Sequence, residues 1–201
     1  MSIFNLNIQN QSTDNKIVAG LERLSQVFRT LLWEKAKEYN LSPIQIQILI
    51  FIQYHPAAIN TVSYLAREFN VTKPTISDAV KVLEHKGLIS KAFSPDDSRS
   101  YSIALTNQGR TIVETTGNFP DPLLQFISAM ADEDKEVFWK NIMGLITLLN
   151  RTGVISVQRM CTGCIHYRYA DNVAWCSLLQ QELEVKDLRM DCPEFSPAKM
   201  A

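Results

Sequence analysis

The sequence predicts a mainly α protein: a winged helix-turn-helix carried on long dimerisation helices and followed by a small cysteine-rich C-terminal extension. Three observations predict it. Apolar Val62, Leu65, Ala66 and Phe69 recur at helical spacing, Asn70-Val71 interrupts them, and Val80, Val82 and Leu83 resume the pattern, as in two helices joined by a tight turn. Gly87 ends the second helix. Leu88-Ile89 and the alternating Tyr101, Ile103 and Leu105 then read as paired strands around the polar turn Ser94-Pro95-Asp96-Asp97. Finally, all four cysteines (Cys161, Cys164, Cys176 and Cys192) fall in the last quarter of the chain.

In chain order, residues 1–15 are polar and rich in Asn and Gln, which predicts a flexible N-terminal arm. Over 16–40 the apolar positions Ile17, Leu21, Leu24, Phe28, Leu31 and Leu32 step mostly by three and four, giving an amphipathic helix too long to bury its stripe on a winged domain alone. A partner is therefore expected. Ser42 can cap the next helix, with Pro43 at its first position and Gln45 closing a capping box. From Ile44 to Tyr54 that helix is apolar nearly all round, as befits the buried hub of a DNA-binding domain spanning 41–105. Thr106 can cap a helix that Gly117, Pro120 and Pro122 interrupt, with a continuation over Leu123 to Met130. Asp132 begins another, striped by Phe138, Ile142, Leu145, Ile146 and Leu149. Residues 106–152 thus complete a helical dimerisation region with 16–40, and 153–201 form the cysteine tail.

The chain has 201 residues, 46% apolar, with 20 basic and 21 acidic residues for a net charge of −1. Taken whole, that balance argues against nucleic acid as a partner. The average conceals a local difference, because Thr61 to Arg110 holds seven Lys/Arg against five acids. No secretory signal or membrane-length apolar run occurs, so a cytoplasmic protein without a membrane partner is expected. No Ser/His/Asp constellation, Gly-rich phosphate loop or paired acidic motif occurs, so no enzymatic role is expected. His55 and His85 have no metal-like neighbours in sequence and suit surface or capping roles.

The run Ser94-Pro95-Asp96-Asp97-Ser98-Arg99, followed by Ile103-Ala104-Leu105-Thr106-Asn107-Gln108-Gly109, resembles the MarR family wing: an Asp-x-Arg tip before a strand ending in Leu-Thr-x-x-Gly. The helices from Ile17 to Met143 also resemble MarR regulators in order and length. The resemblance implies an obligate homodimer whose first and last long helices intertwine, and a transcriptional regulator, expected to be a repressor, on pseudo-palindromic double-stranded DNA. It also implies a small-molecule effector near Phe28, Trp33, Tyr39 and Phe51, residues whose own pattern reads as simple core.

A recognition helix needs short polar and basic residues at its N-terminal end, where the helix dipole favours phosphate and the groove admits the side chains. Thr72, Lys73, Pro74, Thr75, Ser77, Asp78 and Lys81 supply that face. Thr75, Ser77 and Asp78 suit base edges or their waters; Thr72, Lys73 and Lys81 suit phosphates. Arg99 at the wing tip can enter a narrow minor groove, and Asp97 can hold its guanidinium by a bidentate pair.

In the tail, Cys161 and Cys164 form a C-x-x-C knuckle, Cys176 follows after 11 intervening residues and Cys192 after 15 more. In a reducing compartment such a set points to metal before disulfide. One metal centre on the four cysteines is expected, Zn2+ first, with a [4Fe-4S] cluster as the alternative because Cys192-Pro193 resembles iron–sulfur ligation. Zinc would make the tail a structural clasp, whereas a cluster would make it redox-responsive. The alternative function is a protein-interaction or redox module whose winged domain no longer reads DNA.

Overall fold

The computed structural model describes residues 2–93, 101–156 and 159–198. Its contacts divide into two compact units, residues 1–54 with 79–124, and residues 55–78 with 125–201.

The first unit opens with a one-turn helix α1 (Leu6–Gln9), capped by Asn5, and the long α2 (Thr13–Glu38), capped by Ser12. The arm expected over 1–15 is therefore helical in part. Ser12 accepts the Asn15 N–H at 3.2 Å and starts α2 ahead of the first apolar stripe residue. Helix α3 (Pro43–Tyr54) is the hub, with Ile46, Ile48, Leu49, Phe51 and Ile52 buried. Gln45 is buried too, because its Oε1 accepts the Ser42 N–H at 2.9 Å, the expected half of a capping box.

After a short 3-10 turn (Ala57–Ile59) come α4 (Val62–Glu68) and α5 (Lys73–His85). The turn between them carries Asn70 at φ 52°, a left-handed position that Asn tolerates. Strands β1 (Ile89–Phe93) and β2 (Tyr101–Leu105) pair antiparallel, Ile89 opposite Leu105, and form the wing's stem. Thr106 joins β2 to α6 (Asn107–Thr116): its Oγ1 accepts the Gly109 N–H at 3.1 Å and donates to the Gly87 carbonyl at 2.7 Å. Helix α3 packs on α2, on α6 and on β2, and Ile103, Val113 and Thr116 are buried around it. Val82, expected to share the buried stripe of α5 with Val80 and Leu83, is 41% exposed and faces outward.

The chain continues through α7 (Asp121–Ser128) and α8 (Asp132–Arg151). In the second unit the C-terminal extension forms a three-stranded antiparallel sheet, β3 (Tyr167–Ala170), β4 (Val173–Cys176) and β5 (Gln181–Leu183), in that order. Asp171 and Asn172 turn the β3–β4 hairpin with φ of 51° and 63°, as a two-residue turn with both centres left-handed requires. Within this unit a 3-10 turn over Val185–Asp187 packs on α8, and the Thr147 and Thr162 hydroxyls meet at 2.8 Å. Among the described residues no helix is long and apolar enough to cross a membrane.

Candidate nucleic-acid interface and four-cysteine site

Ile76, Ala79, Val80 and Leu83 are buried along α5, which leaves its other face outward by helical periodicity. That face carries Thr72, Lys73, Pro74, Thr75, Asp78 and Lys81, all exposed, with Ser77 half-buried. At the N-terminal end Thr72 Oγ1 accepts the Thr75 N–H at 3.3 Å and lies 2.8 Å from the Thr75 hydroxyl, so this threonine organises the turn where the positive end of the dipole emerges. Asp97 and Arg99, expected at the wing tip, lie outside the described residues, as does the turn from Ser94.

On the stem, Lys91 Nζ binds Glu84 Oε2 at 2.6 Å and lies over the Tyr101 ring at 5.1 Å. The hydrogen bond to Glu84 raises the Lys91 pKa, against a smaller opposing effect of burial. This lysine, counted from sequence as part of the basic surplus, has its charge answered inside the protein.

The four cysteines converge in the second unit. Cys161 opens the 3-10 turn Cys161–Gly163, Cys164 follows it, Cys176 ends β4, and Cys192 precedes Pro193. All four are half-buried, none forms a disulfide, and all line one small cavity of about 30 Å³ with Tyr167, Leu179, Leu183 and Arg189. The Arg189 backbone N–H donates to Cys161 Sγ at 3.3 Å, and its Nη1 lies 3.9 Å from Cys192 Sγ. Burial pushes the Cys161 thiol up, the Arg189 N–H opposes that, and Cys192, Cys176 and Cys164 each add to it by repulsion. Among the described residues no three His, Cys, Asp or Glu side chains converge tightly enough to share one metal ion.

Arg159 ties this extension to α4. Its Nη1 lies 2.6 Å from Glu68 Oε2 and 2.9 Å from the Tyr64 hydroxyl, its Nη2 lies 3.1 Å from Glu68 Oε1, and its Nε pairs with Asp191. His55 Nε2 is 3.3 Å from Nη2 and 3.8 Å from Asp191 Oδ2, so this histidine belongs to the network rather than to a surface cap. Burial works against the charged guanidinium, but the bonds to Glu68, Asp191 and Tyr64 outweigh it and hold the Arg159 pKa above its usual value. Ser156 Oγ adds a bond to the Arg67 carbonyl at 2.9 Å. Sequence reading missed this network because its members run from His55 to Asp191 and form no local pattern.

In the first unit, an open groove of about 610 Å³ runs beside α2 and α3, lined by Phe28, Leu32, Trp33, Pro43, Gln47 and Phe119. Of the residues expected near an effector, Phe28 and Trp33 line it. Phe51 is instead core, 5% exposed, and Tyr39 caps the C-terminus of α2.

Residues 39–100 match the model of the MarR family, which spans most of the helix-turn-helix and wing stem described above. Over those residues the chain resembles a MarR-type winged helix-turn-helix. It is 27% identical over 109 residues to the uncharacterized HTH-type transcriptional regulator YdgJ of Bacillus subtilis (strain 168), covering 54% of this chain and 57% of that one. It is 32% identical over 88 residues to the HTH-type transcriptional repressor YetL of the same organism, covering 43% of this chain and 52% of that one. The chain therefore spans little more than half the length of these curated relatives. The Staphylococcus aureus MepR–DNA complex shares the fold at TM-score 0.58 and 23% identity, over 66% of this chain and 97% of that one.

Proposed function

We propose that the protein is a dimeric, sequence-specific, DNA-binding transcriptional regulator of the MarR type, acting as a repressor in the cytoplasm. The observation that carries this reading is the outward face of α5, where Thr72, Lys73, Pro74, Thr75, Asp78 and Lys81 are exposed on a helix whose opposite side is core. Thr75, Ser77 and Asp78 would face bases, and Lys73 and Lys81 phosphates, with Arg99 in the adjacent minor groove. The resemblance to YetL, named a repressor, and to MepR, solved on DNA, supports the assignment.

A homodimer is supported by the apolar stripe of α2, where Ile17, Leu21, Leu24 and Phe28 are 39–55% exposed, and by the α8 residues Phe138, Leu145 and Leu148 at 39–58%. Two winged domains held at fixed spacing would read the two halves of a pseudo-palindromic site. The groove beside Phe28 and Trp33 would take a small, largely apolar effector.

The test is fluorescence anisotropy of the full chain on a duplex from its own promoter and on a scrambled duplex, across a salt series. The regulator reading expects specific binding, two chains per site, and affinity falling steeply with salt. Equal, salt-insensitive affinity for both duplexes would favour the interaction or redox module instead.

A further inference from the structure

We propose that Cys161, Cys164, Cys176 and Cys192 hold one [4Fe-4S] cluster, with one cysteine to each iron. The four sulfurs come from separate places, a turn, the residue after it, a strand end and a loop before proline, yet all face one cavity. Its volume of about 30 Å³ exceeds the roughly 10–15 Å³ that a single water needs, so the interior admits more than one atom.

Zinc would need a tighter arrangement. At a Zn–S distance of about 2.3 Å, tetrahedral geometry draws four sulfurs to about 3.8 Å of one another. Among the described residues no three candidate ligands converge around one ion. A cubane core places an iron between each cysteine and the centre, which keeps the sulfurs apart and fills the interior.

The surroundings suit the charge. Ligation of a 2+ core by four thiolates releases four protons to solvent and leaves a net charge of 2−, close to the Arg189 guanidinium and the Arg189 N–H at 3.3 Å from Cys161 Sγ. Hydrogen bonds to ligand sulfur of this kind set a cluster's potential, and the buried Leu183 lines the same cavity. The module also needs an internal ligand for stability. Its strands are three to four residues long, and Trp175 and Leu178 remain 39% and 45% exposed. Thr162, inside the knuckle, bonds Thr147 of α8, and Arg159 bonds α4, so the loaded module would brace both helices. Any effect of that bracing on DNA rests on the regulator reading; cluster binding itself does not.

The experiment loads full-length apoprotein anaerobically with equal amounts of ferrous and ferric iron plus sulfide, which together match the charge of a 2+ core without an added oxidant, with zinc, or with all of them together. Iron and acid-labile sulfide are measured beside the visible spectrum. The expected result is about four iron and four sulfide per chain with broad visible absorption, retained when zinc competes. Cys161→Ser/Cys164→Ser and Cys192→Ala should each lose both sulfide and colour while keeping the far-ultraviolet helical signal of the parent. A colourless protein with one zinc that iron and sulfide fail to displace overturns the proposal. So does full cluster content in either well-folded cysteine variant.

Discussion

Arg159 grips Glu68 with both ends of its guanidinium, Nη1 to Oε2 at 2.6 Å and Nη2 to Oε1 at 3.1 Å, across 91 residues of sequence. The side chains are 11% and 20% exposed, so the pair works in a partly dry setting where geometry and charge reinforce each other. Breaking a buried pair by removing one partner costs about 3–5 kcal/mol, because the other charge is stranded. Allowing for the partial exposure here, Arg159→Met should lower the urea unfolding free energy by about 2–3 kcal/mol. A double-mutant cycle with Glu68→Gln should be strongly non-additive, and simple additivity would show that the two residues do not depend on each other.

Gly109 ends the Leu-Thr-x-x-Gly run for a steric reason. A Cβ there would sit 2.0 Å from the Leu88 carbonyl oxygen, which is backbone and cannot step aside. Gly109→Ala should therefore destabilise by about 3 kcal/mol, the upper end of overpacking costs. Gly144, in the middle of α8, has nothing within 4 Å of the same position, so Gly144→Ala should stabilise by about 0.5–1 kcal/mol. Thermal melts of the two variants should move in opposite directions.

Lysines on this surface should differ in their effect on DNA binding. Lys73 stands on the exposed face of α5, whereas Lys91 is engaged by Glu84 at 2.6 Å. Lys73→Ala should reduce the slope of log affinity against log salt by about 1, uniformly across duplex sequences. Lys91→Ala should change that slope much less. Equal slopes for the two variants would contradict the division.

Local structure was legible because its causes are local. The apolar run in α3, the Thr106 cap, the stop at Gly87 and the strand alternation of Tyr101, Ile103 and Leu105 depend on residues within a few positions of one another. The apolar stripe does not mark the start of α2, because Ser12, a polar cap, stands outside it. The β3–β4 hairpin rests on Asp171-Asn172, a two-residue turn with both centres left-handed that the cysteine spacing does not signal.

By itself, the sequence determined the order of the helices, the polar face of α5 and the identity of the four cysteines. Propensity, periodicity and capping act over a few residues and need no knowledge of the rest of the chain. Only the tertiary structure decided that Lys91 is answered by Glu84, that Gly109 lies against the Leu88 carbonyl, that four thiols separated by up to 31 positions share one cavity, and that Arg159 reaches α4. Each is a contact between separate elements of the fold, and no spacing rule encodes a distance that the chain creates only by folding.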